Sequence, residues 1–372
     1  MSALASHASS ASFAELLAED EDAGAGACDR YVIRDNLVAD ECVLYLGAPA
    51  DALGATSTKP RDTGATARRG GGRAATHERP RTSTSCPFCP GNEKLCADAV
   101  AEVCTADGAW AARCFENRFP IFHALGSGGA KPGANYARAT ARMEVVVAAR
   151  RHDVDLAQQS ADEVGRLVRL ARDRARAVAG APGCRHVRVF QNHGSRAGGS
   201  LVHAHWQVVG LGFVPPRARH LVRAQATAAA TKKCACAVCE LARDPDPSTV
   251  VWRDDRCVAV AAVAARAGTC WVVPRACAPS LADLDDASCR SVGAALRAVA
   301  AATYAAYGDP DYNVAFAARP SGDSATFHAY AVFSPHLKED CSLATLQYGL
   351  PICHTAPEDA AFALRRALAA LG

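Results

Sequence analysis

The sequence predicts an α+β fold in which one unit of antiparallel strands and packed helices is used twice. Three observations predict it. Single long helical patterns are separated by runs of strand-like segments, which suits antiparallel sheets with helices on one side. The order of motifs in the first half recurs in the second. And 372 residues are enough for two ordinary domains. The first half reads Cys86-Pro-Phe-Cys89, a strand ending at His152, a long helix, then His203-Ala-His205. The second reads Cys236-Ala-Val-Cys239, a strand ending at Cys277, a long helix, then His328-Ala-Tyr330. Spacing between the first motifs differs, 63 residues from Cys89 to His152 against 38 from Cys239 to Cys277, so the repeat rests on order and not on period.

Taken in order, residues 1–30 are polar, small and acidic, with neither a basic start nor an apolar stretch, and are expected to form a disordered extension and not a secretion or transit signal. The first unit is expected over 31–215 and the second over 216–372. A loose Gly, Arg, Thr and Pro-rich segment runs from Ala50 to Thr84. Its Arg68–Arg73 run lacks aromatics and reads as a solvated loop before a nucleic-acid tail. Branched and aromatic residues predict strands at Met143–Ala149, His186–Asn192, His203–Leu211, Cys257–Val263, Thr269–Pro274, Tyr312–Ala317 and His328–Phe333. Helices are expected at Leu156–Ala179, Leu281–Tyr307 and Pro357–Leu371, with Asp and Ser near their starts.

Composition excludes several classes. Hydrophobic residues make up 50% and charged ones 21%, the balance of a globular chain. A net charge of +3 with no arginine-aromatic cluster argues against a nucleic-acid partner. No apolar run reaches the roughly 18 residues of a membrane span. Seventeen cysteines without a signal peptide predict free thiols and metal sites in the cytoplasm. Cys28, Cys42, Cys104, Cys184 and Cys289 stand alone and are expected to be small buried hydrophobes.

Chemistry concentrates in Phe190–Gln207, where a glycine-rich turn precedes His203, His205 and Gln207. On a strand, positions i, i+2 and i+4 share a face. A glycine turn brings bare backbone N–H groups to a phosphate. The pattern predicts attack on phosphorus by imidazole, against three plainer readings: surface histidines, a metal pair, or core histidines satisfied by backbone. Each C-x-x-C pair can hold a tetrahedral zinc with two further ligands. Those are His152 and His203 for Cys86 and Cys89, and Cys277 and His328 for Cys236 and Cys239, where Cys234 could replace Cys236. With four protein ligands apiece, both Zn2+ sites are expected to be structural.

The segments CPFCPGNE at 86–93, CFENRFPIF at 114–122, NHGSRAGGSLVHAHWQ at 192–207, CAVCE at 236–240, WVVPR at 271–275 and APED at 356–359 resemble the galactose-1-phosphate uridylyltransferase family of the histidine-triad superfamily. The second cysteine pair resembles its ADP-glucose phosphorylase branch. The resemblance covers about residues 31–371 and implies two tandem histidine-triad-like units. It implies that His205 is the nucleophile, that His203 binds zinc beside it, and that Ser200 and Gln207 hold phosphate oxygens. Asn117 and Asn192 match nucleotide-contacting asparagines. The amides of Gly198 and Gly199, with Arg196, would add to the phosphate site. Nucleotide sugars, with a sugar phosphate or inorganic phosphate as acceptor, are the implied substrates, and a homodimer the implied assembly.

Departures from the family are specific. Cys277 stands where the branch has a histidine, the glycine before the strand leading to His152 is lost, and Trp206 is bulky. The lysine-phenylalanine pair and glutamate that grip the hexose are not recognisable in Lys338–Pro351. Within the repeat His205 corresponds to Tyr330, and a phenol cannot replace imidazole as a nucleophile that then leaves. Only the first half should react. With hexose 1-phosphate as acceptor the expected activity is uridylyl transfer, with phosphate a phosphorolysis, with water a hydrolysis. A catalytically dead zinc-knuckle interaction protein is the alternative of a different class.

Overall fold

The computed structural model describes residues 32–36, 41–45, 79–122, 136–138, 140–147, 149–337 and 352–372. The 1–30 extension, most of the loose segment after Ala50, and the whole of Lys338–Pro351 lie outside these residues, as does the hexose question tied to them.

Thirteen strands and five α-helices are described. The strands are β1 Val32–Asn36, β2 Glu41–Tyr45, β3 Ala99–Cys104, β4 Trp110–Glu116, β5 Tyr136–Arg138, β6 Ala141–Val147, β7 His186–His193 and β8 His205–Leu211, then β9 Val250–Arg253, β10 Cys257–Ala261, β11 Cys270–Pro274, β12 Tyr312–Phe316 and β13 Ala331–Pro335. The helices are α1 Ala161–Ala179, α2 Pro216–Lys232, α3 Ala237–Arg243, α4 Asp286–Tyr307 and α5 Pro357–Ala369. A small sheet has the order β2-β1-β5, and a ten-stranded sheet the order β3-β4-β6-β8-β7-β12-β13-β11-β10-β9. Read outward from the β7–β12 junction, the large sheet is one five-strand pattern used twice. Each half has a long helix between its third and fourth strands in chain order, α1 before β7 and α4 before β12. All pairings are antiparallel, so the α+β class and the duplicated unit hold.

Two of the predicted helices start later than periodicity suggests because side chains cap them, while the third starts at Pro357 as expected. Ser160 accepts from the Glu163 backbone and Glu163 reaches back, a complete capping box that fixes the start of α1. Asp285 accepts from the Ser288 amide at 2.6 Å, so Leu281–Asp283 is left as a separate 3-10 turn. Neither α2 nor α3 is legible from hydrophobic periodicity. Only Ala218 and Val222 of α2 are buried, too few for an apolar stripe, and α3 has seven residues.

Strand alternation divides the large sheet into two faces. Val146, Val189, Trp206, Val208, Val314, Phe316, Phe333 and Val272 join one core with the buried faces of α1, α4 and α5. Helices α1 and α4 meet where a Cβ on Gly293 would stand 2.6 Å from the Gly165 Cα, so only glycine permits this crossing. Trp206, bulky between two functional positions in the sequence, points into the helix-side core. It is fully buried, 5.6 Å from the Phe316 ring, and donates its indole N–H to Gln191 at 2.8 Å. Trp206→Ala would open a large cavity and strand a buried amide, so a loss of about 3–5 kcal/mol is expected in urea denaturation. A loss under about 1 kcal/mol would contradict this packing.

The opposite face of the first half carries His205, Gln207, Val209 and Leu211 from β8, beside Asn192, Phe190, Arg188 and His186 from β7. Helices α2 and α3 cover the corresponding face of the second half through Val222, Val238 and Ala242. Of the isolated cysteines, Cys289 is buried as expected, Cys184 is half-buried and Cys104 is exposed; Cys28 lies outside the described residues and no side chain is described for Cys42. Cys104 closes an edge strand beside a turn and has no core to enter. No described helix is long and apolar enough to cross a membrane.

Candidate functional site

The glycine turn joins β7 to β8 and is held by the second half. Gly194 and Gly198 have φ of +81° and +83°, open to glycine at little cost. Gly199 donates to the Gly194 carbonyl at 2.8 Å, and a Cβ there would stand 2.8 Å from that oxygen. Asp311 accepts from the Arg196 amide at 2.7 Å. The Asn313 amide donates to Asn192 Oδ1 at 2.8 Å and to the Ala197 carbonyl at 2.9 Å. Asn192 therefore has its acceptor engaged and its NH2 group turned toward Gly198, 3.6 Å from a Cβ placed there. Ser200 and the Arg196 side chain are exposed at the same turn.

His205 opens β8 and is 8% exposed. Its Nδ1 lies 2.9 Å from the His203 carbonyl. A carbonyl only accepts, so Nδ1 carries the proton and Nε2 keeps its lone pair. Burial lowers the His205 pKa, opposed by that backbone bond, which keeps the ring neutral. The Phe88 ring, between the two cysteines of the first pair, is 5.1 Å from the His205 ring. Gln207 is half-buried on the same face. His203 differs from the strand expectation. It sits in the bend before β8 and turns its ring away from Gln207, so only His205 and Gln207 share the strand face. Asn117 is positioned by its amide, which donates to the Met143 carbonyl at 2.9 Å, and Met143 pairs with Val209 two residues from Gln207. Its Oδ1 accepts from the Phe119 amide at 2.9 Å.

His203 belongs to the first sulfur-nitrogen cluster. Cys86, Cys89, His152 and His203 are all buried, with their ligand atoms within 4.8 Å of one another. His203 Nδ1 is 3.6 Å from both thiols, and His152 Nδ1 is 3.5 Å from Cys89. His203 Nε2 donates to the Ala149 carbonyl at 2.8 Å, the outer bond that fixes a ligating tautomer. Burial pushes the Cys86 thiol up to about 12 and His203 down to about 4. Two imidazoles and two thiols, all buried and with their ligand atoms within 4.8 Å of one another, are a donor set fit for Zn2+.

Cys236, Cys239, Cys277 and His328 form the second cluster, again within 4.8 Å. Cys234 is not in it. His328 Nδ1 is 3.3 Å from Cys239, and its Nε2 donates to the Pro274 carbonyl at 2.8 Å. The anchoring carbonyl precedes its histidine by 54 positions in both clusters, and the third and fourth ligands are 51 apart in both, 152 to 203 and 277 to 328. The repeat that looked irregular upstream is thus strict across its second part. Cys277 is exposed, at the rim. Tyr330, the counterpart of His205, is buried 4.7 Å from the Trp271 ring, where burial raises its phenol pKa.

Several residues were missed. Asp311 and Asn313 clamp the turn from over 100 positions away. Asp155, His193 and Asp309 form a third group, His193 Nε2 lying 3.3 Å from each carboxylate. Polar residues so far apart leave no local signal. His186, on the reaction face of β7, is fully buried, and among the described residues neither of its ring nitrogens has a hydrogen-bond partner. Burial and the neighbouring Arg188 charge lower its pKa to about 3. Because the folded state resists a proton that the unfolded chain accepts near 6.5, its contribution is complete above pH 6.5 and declines as pH falls toward 3. From pH 7 to 5 the loss should be about 2 kcal/mol. His186→Leu should remove that part of the decline in denaturant titrations, and equal slopes in both proteins would refute it.

Comparison with known proteins agrees with this geometry. Residues 136–214 match the N-terminal domain of a family described as a domain of unknown function, DUF4931. ADP-glucose phosphorylase of Arabidopsis thaliana is 27% identical over 236 residues, 62% of this chain. That match spans 66% of the relative, just under two thirds of its length. A solved GalT-like protein of Arabidopsis thaliana is 25% identical with a TM-score of 0.67, covering 77% of this chain and 93% of that one. A solved uridylyltransferase, 20% identical with a TM-score of 0.70, covers 91% and 99%, a likeness of fold. With its CPFC and HAHWQ motifs, the chain is similar to ADP-glucose phosphorylase and to a GalT-like protein and shares the fold of a uridylyltransferase.

Proposed function

We propose that this protein is a nucleotidyltransferase that takes a nucleotide from a nucleotide-diphosphate sugar onto His205 and passes it to a phosphate-bearing acceptor. The carrying observation is the hydrogen bond from His205 Nδ1 to the His203 carbonyl, which fixes the tautomer and leaves Nε2 unprotonated. Nε2 attacks the α-phosphorus and the bond from that phosphorus to the bridging oxygen breaks, releasing sugar 1-phosphate. An oxygen of the second phosphate then attacks, and the P–N bond breaks. Two inversions give net retention and ping-pong kinetics. Gln207, Ser200 and the Asn192 side-chain amide offset charge on the non-bridging oxygens, with Arg196 near the same turn; the backbone amides of Gly198 and Gly199, expected to join them, are taken up inside the turn by the Ser195 and Gly194 carbonyls. Asn117 is assigned to the nucleotide.

With hexose 1-phosphate as acceptor the reaction is uridylyl transfer. With inorganic phosphate it is phosphorolysis of a nucleotide sugar, a second reading favoured by the similarity to ADP-glucose phosphorylase. Zn2+ in both sulfur-nitrogen clusters would act structurally, the first ion holding His203 so that its carbonyl meets His205. We assign the protein to the cytoplasm and to a homodimer, with neither nucleic acid nor membrane as partner. The intact pairing of His205 and Gln207 speaks against a dead zinc-knuckle scaffold.

Gln207→Ala should lower kcat about 100-fold with little change in zinc content. Isotope exchange gives the mechanistic test. Labelled sugar 1-phosphate should enter the nucleotide sugar without a second acceptor. Net turnover without such exchange would rule out the covalent route.

A further inference from the structure

Beyond His205 and Gln207, the reaction face ends in a group of basic side chains that no acid among the described residues meets. Arg188 lies between His186 and Phe190 on β7, and Val209 is its partner on β8. It is half-buried, and among the described residues it makes no hydrogen bond or ion pair. Burial and the charge of Arg217 both lower its pKa. Arg217 is exposed in the first turn of α2, six positions after Leu211, which pairs with His186. Arg217 likewise has no described carboxylate partner. The 17-residue α2 has no side-chain cap and no acidic residue in its first turn, and although Pro216 has no N–H and the Ala218 and Arg219 amides donate to the Pro215 carbonyl, its dipole adds to the positive potential. His186 supplies the independent observation: fully buried on the same face, with both ring nitrogens unpaired among the described residues.

A partly desolvated cation facing a second cation, with an uncapped helix start and an unpaired imidazole beside it, destabilises the ligand-free protein unless an anion completes it. We propose that His186, Arg188, Arg217 and the N-terminus of α2 form a subsite for a second phosphate group of the substrate. The partner position of Arg188 is four residues along β8 from His205, roughly 13 Å at about 3.3 Å per residue. The floor between them, Phe190, Val209 and Met143, is apolar. The preferred substrate is therefore one with two phosphate-bearing ends, one reacting at His205 and one held at this subsite. The inference rests on the proposed role of His205 only for where the reacting phosphorus sits.

Binding of inorganic polyphosphate tests it apart from catalysis. Full-length protein is titrated calorimetrically, without divalent cations, with orthophosphate and with tetrapolyphosphate. Tetrapolyphosphate should bind at least about tenfold tighter than orthophosphate, and Arg217→Glu or Arg188→Met should each remove about tenfold. Arg223→Glu, the same charge change at an exposed position further along α2, should change affinity less than about twofold. Equal losses in Arg217→Glu and Arg223→Glu, or none in either, would overturn the subsite. The melting temperature of ligand-free Arg188→Met is a second arm. It should rise or hold, whereas a fall or failure to fold would reveal a native counter-ion and contradict the proposal. If wild-type protein forms no adduct at His205, the catalytic reading fails while this titration still decides the subsite.

Discussion

Substituting His205 by alanine is expected to abolish nucleotidyl transfer, lowering kcat by about 10^4-fold or more, with folding and metal content preserved. The nucleophile has no substitute on the reaction face. Its counterpart Tyr330 is buried against Trp271, and a phenol with a raised pKa is a weak nucleophile at neutral pH. His203 is committed to the Cys86, Cys89 and His152 cluster, and His186 lies far along β7. Removing a covalent nucleophile leaves only the binding and charge stabilisation of the remaining groups, which is why losses of this size are typical. Metal content should not change, because His205 enters the cluster only through the backbone carbonyl of His203. Steady-state kinetics with zinc analysis checks both statements. Residual activity within about tenfold of wild type would remove His205 from its role.

Breaking the first sulfur-nitrogen cluster should have the largest effect on stability. Cys89→Ser is expected to lower bound zinc from two ions per chain to one and to unfold the region around His205. The cluster joins four distant segments, the 86–89 turn, the 152 loop, the bend at 203 and, through the Ala149 carbonyl, the end of β6. Structural zinc contributes about 10 kcal/mol or more where the apo segment cannot pack by itself. Cys89→Ser should also lose nucleotidyl transfer, because the His203 carbonyl that fixes the His205 tautomer would move. Cys277→Ser should be milder, since Cys277 is exposed at the edge of its cluster and the second half carries no nucleophile. Metal analysis by mass spectrometry with thermal denaturation reads both variants. Unchanged zinc content in Cys89→Ser would refute the assignment.

The duplication was legible because thiols in C-x-x-C pairs and late His-Ala steps are rare residue types in a fixed order. The ligand sets followed for the same reason. The strand-helix pattern followed from residues buried on one side, as in α1, whose valines and leucines face the sheet. Where burial is sparse the pattern vanishes, and α2 was missed because two small contacts do not produce a stripe. Helix starts moved because Ser160 and Asp285 cap them, a choice between neighbouring polar residues that periodicity does not register. His203 was read as part of a strand since alternation continued through it, but the chain bends there and its ring joins the Cys86, Cys89 and His152 cluster. Least legible were the supports from the other half. Asp311 and Asn313 reach the glycine turn only because β7 and β12 are neighbours across the repeat, a tertiary fact that ordinary polar residues do not announce.

All of this converges on one nitrogen. The most direct measurement is the intact mass of zinc-replete protein after brief exposure, without acceptor, to UDP-glucose and to ADP-glucose in separate samples. The expected result is one added nucleotidyl group per chain from the sugar nucleotide carrying the correct base, lost on substitution of His205 by alanine. An unmodified mass with both, in protein shown to turn either one over, would contradict the nucleotidyl-histidine at the centre of the account.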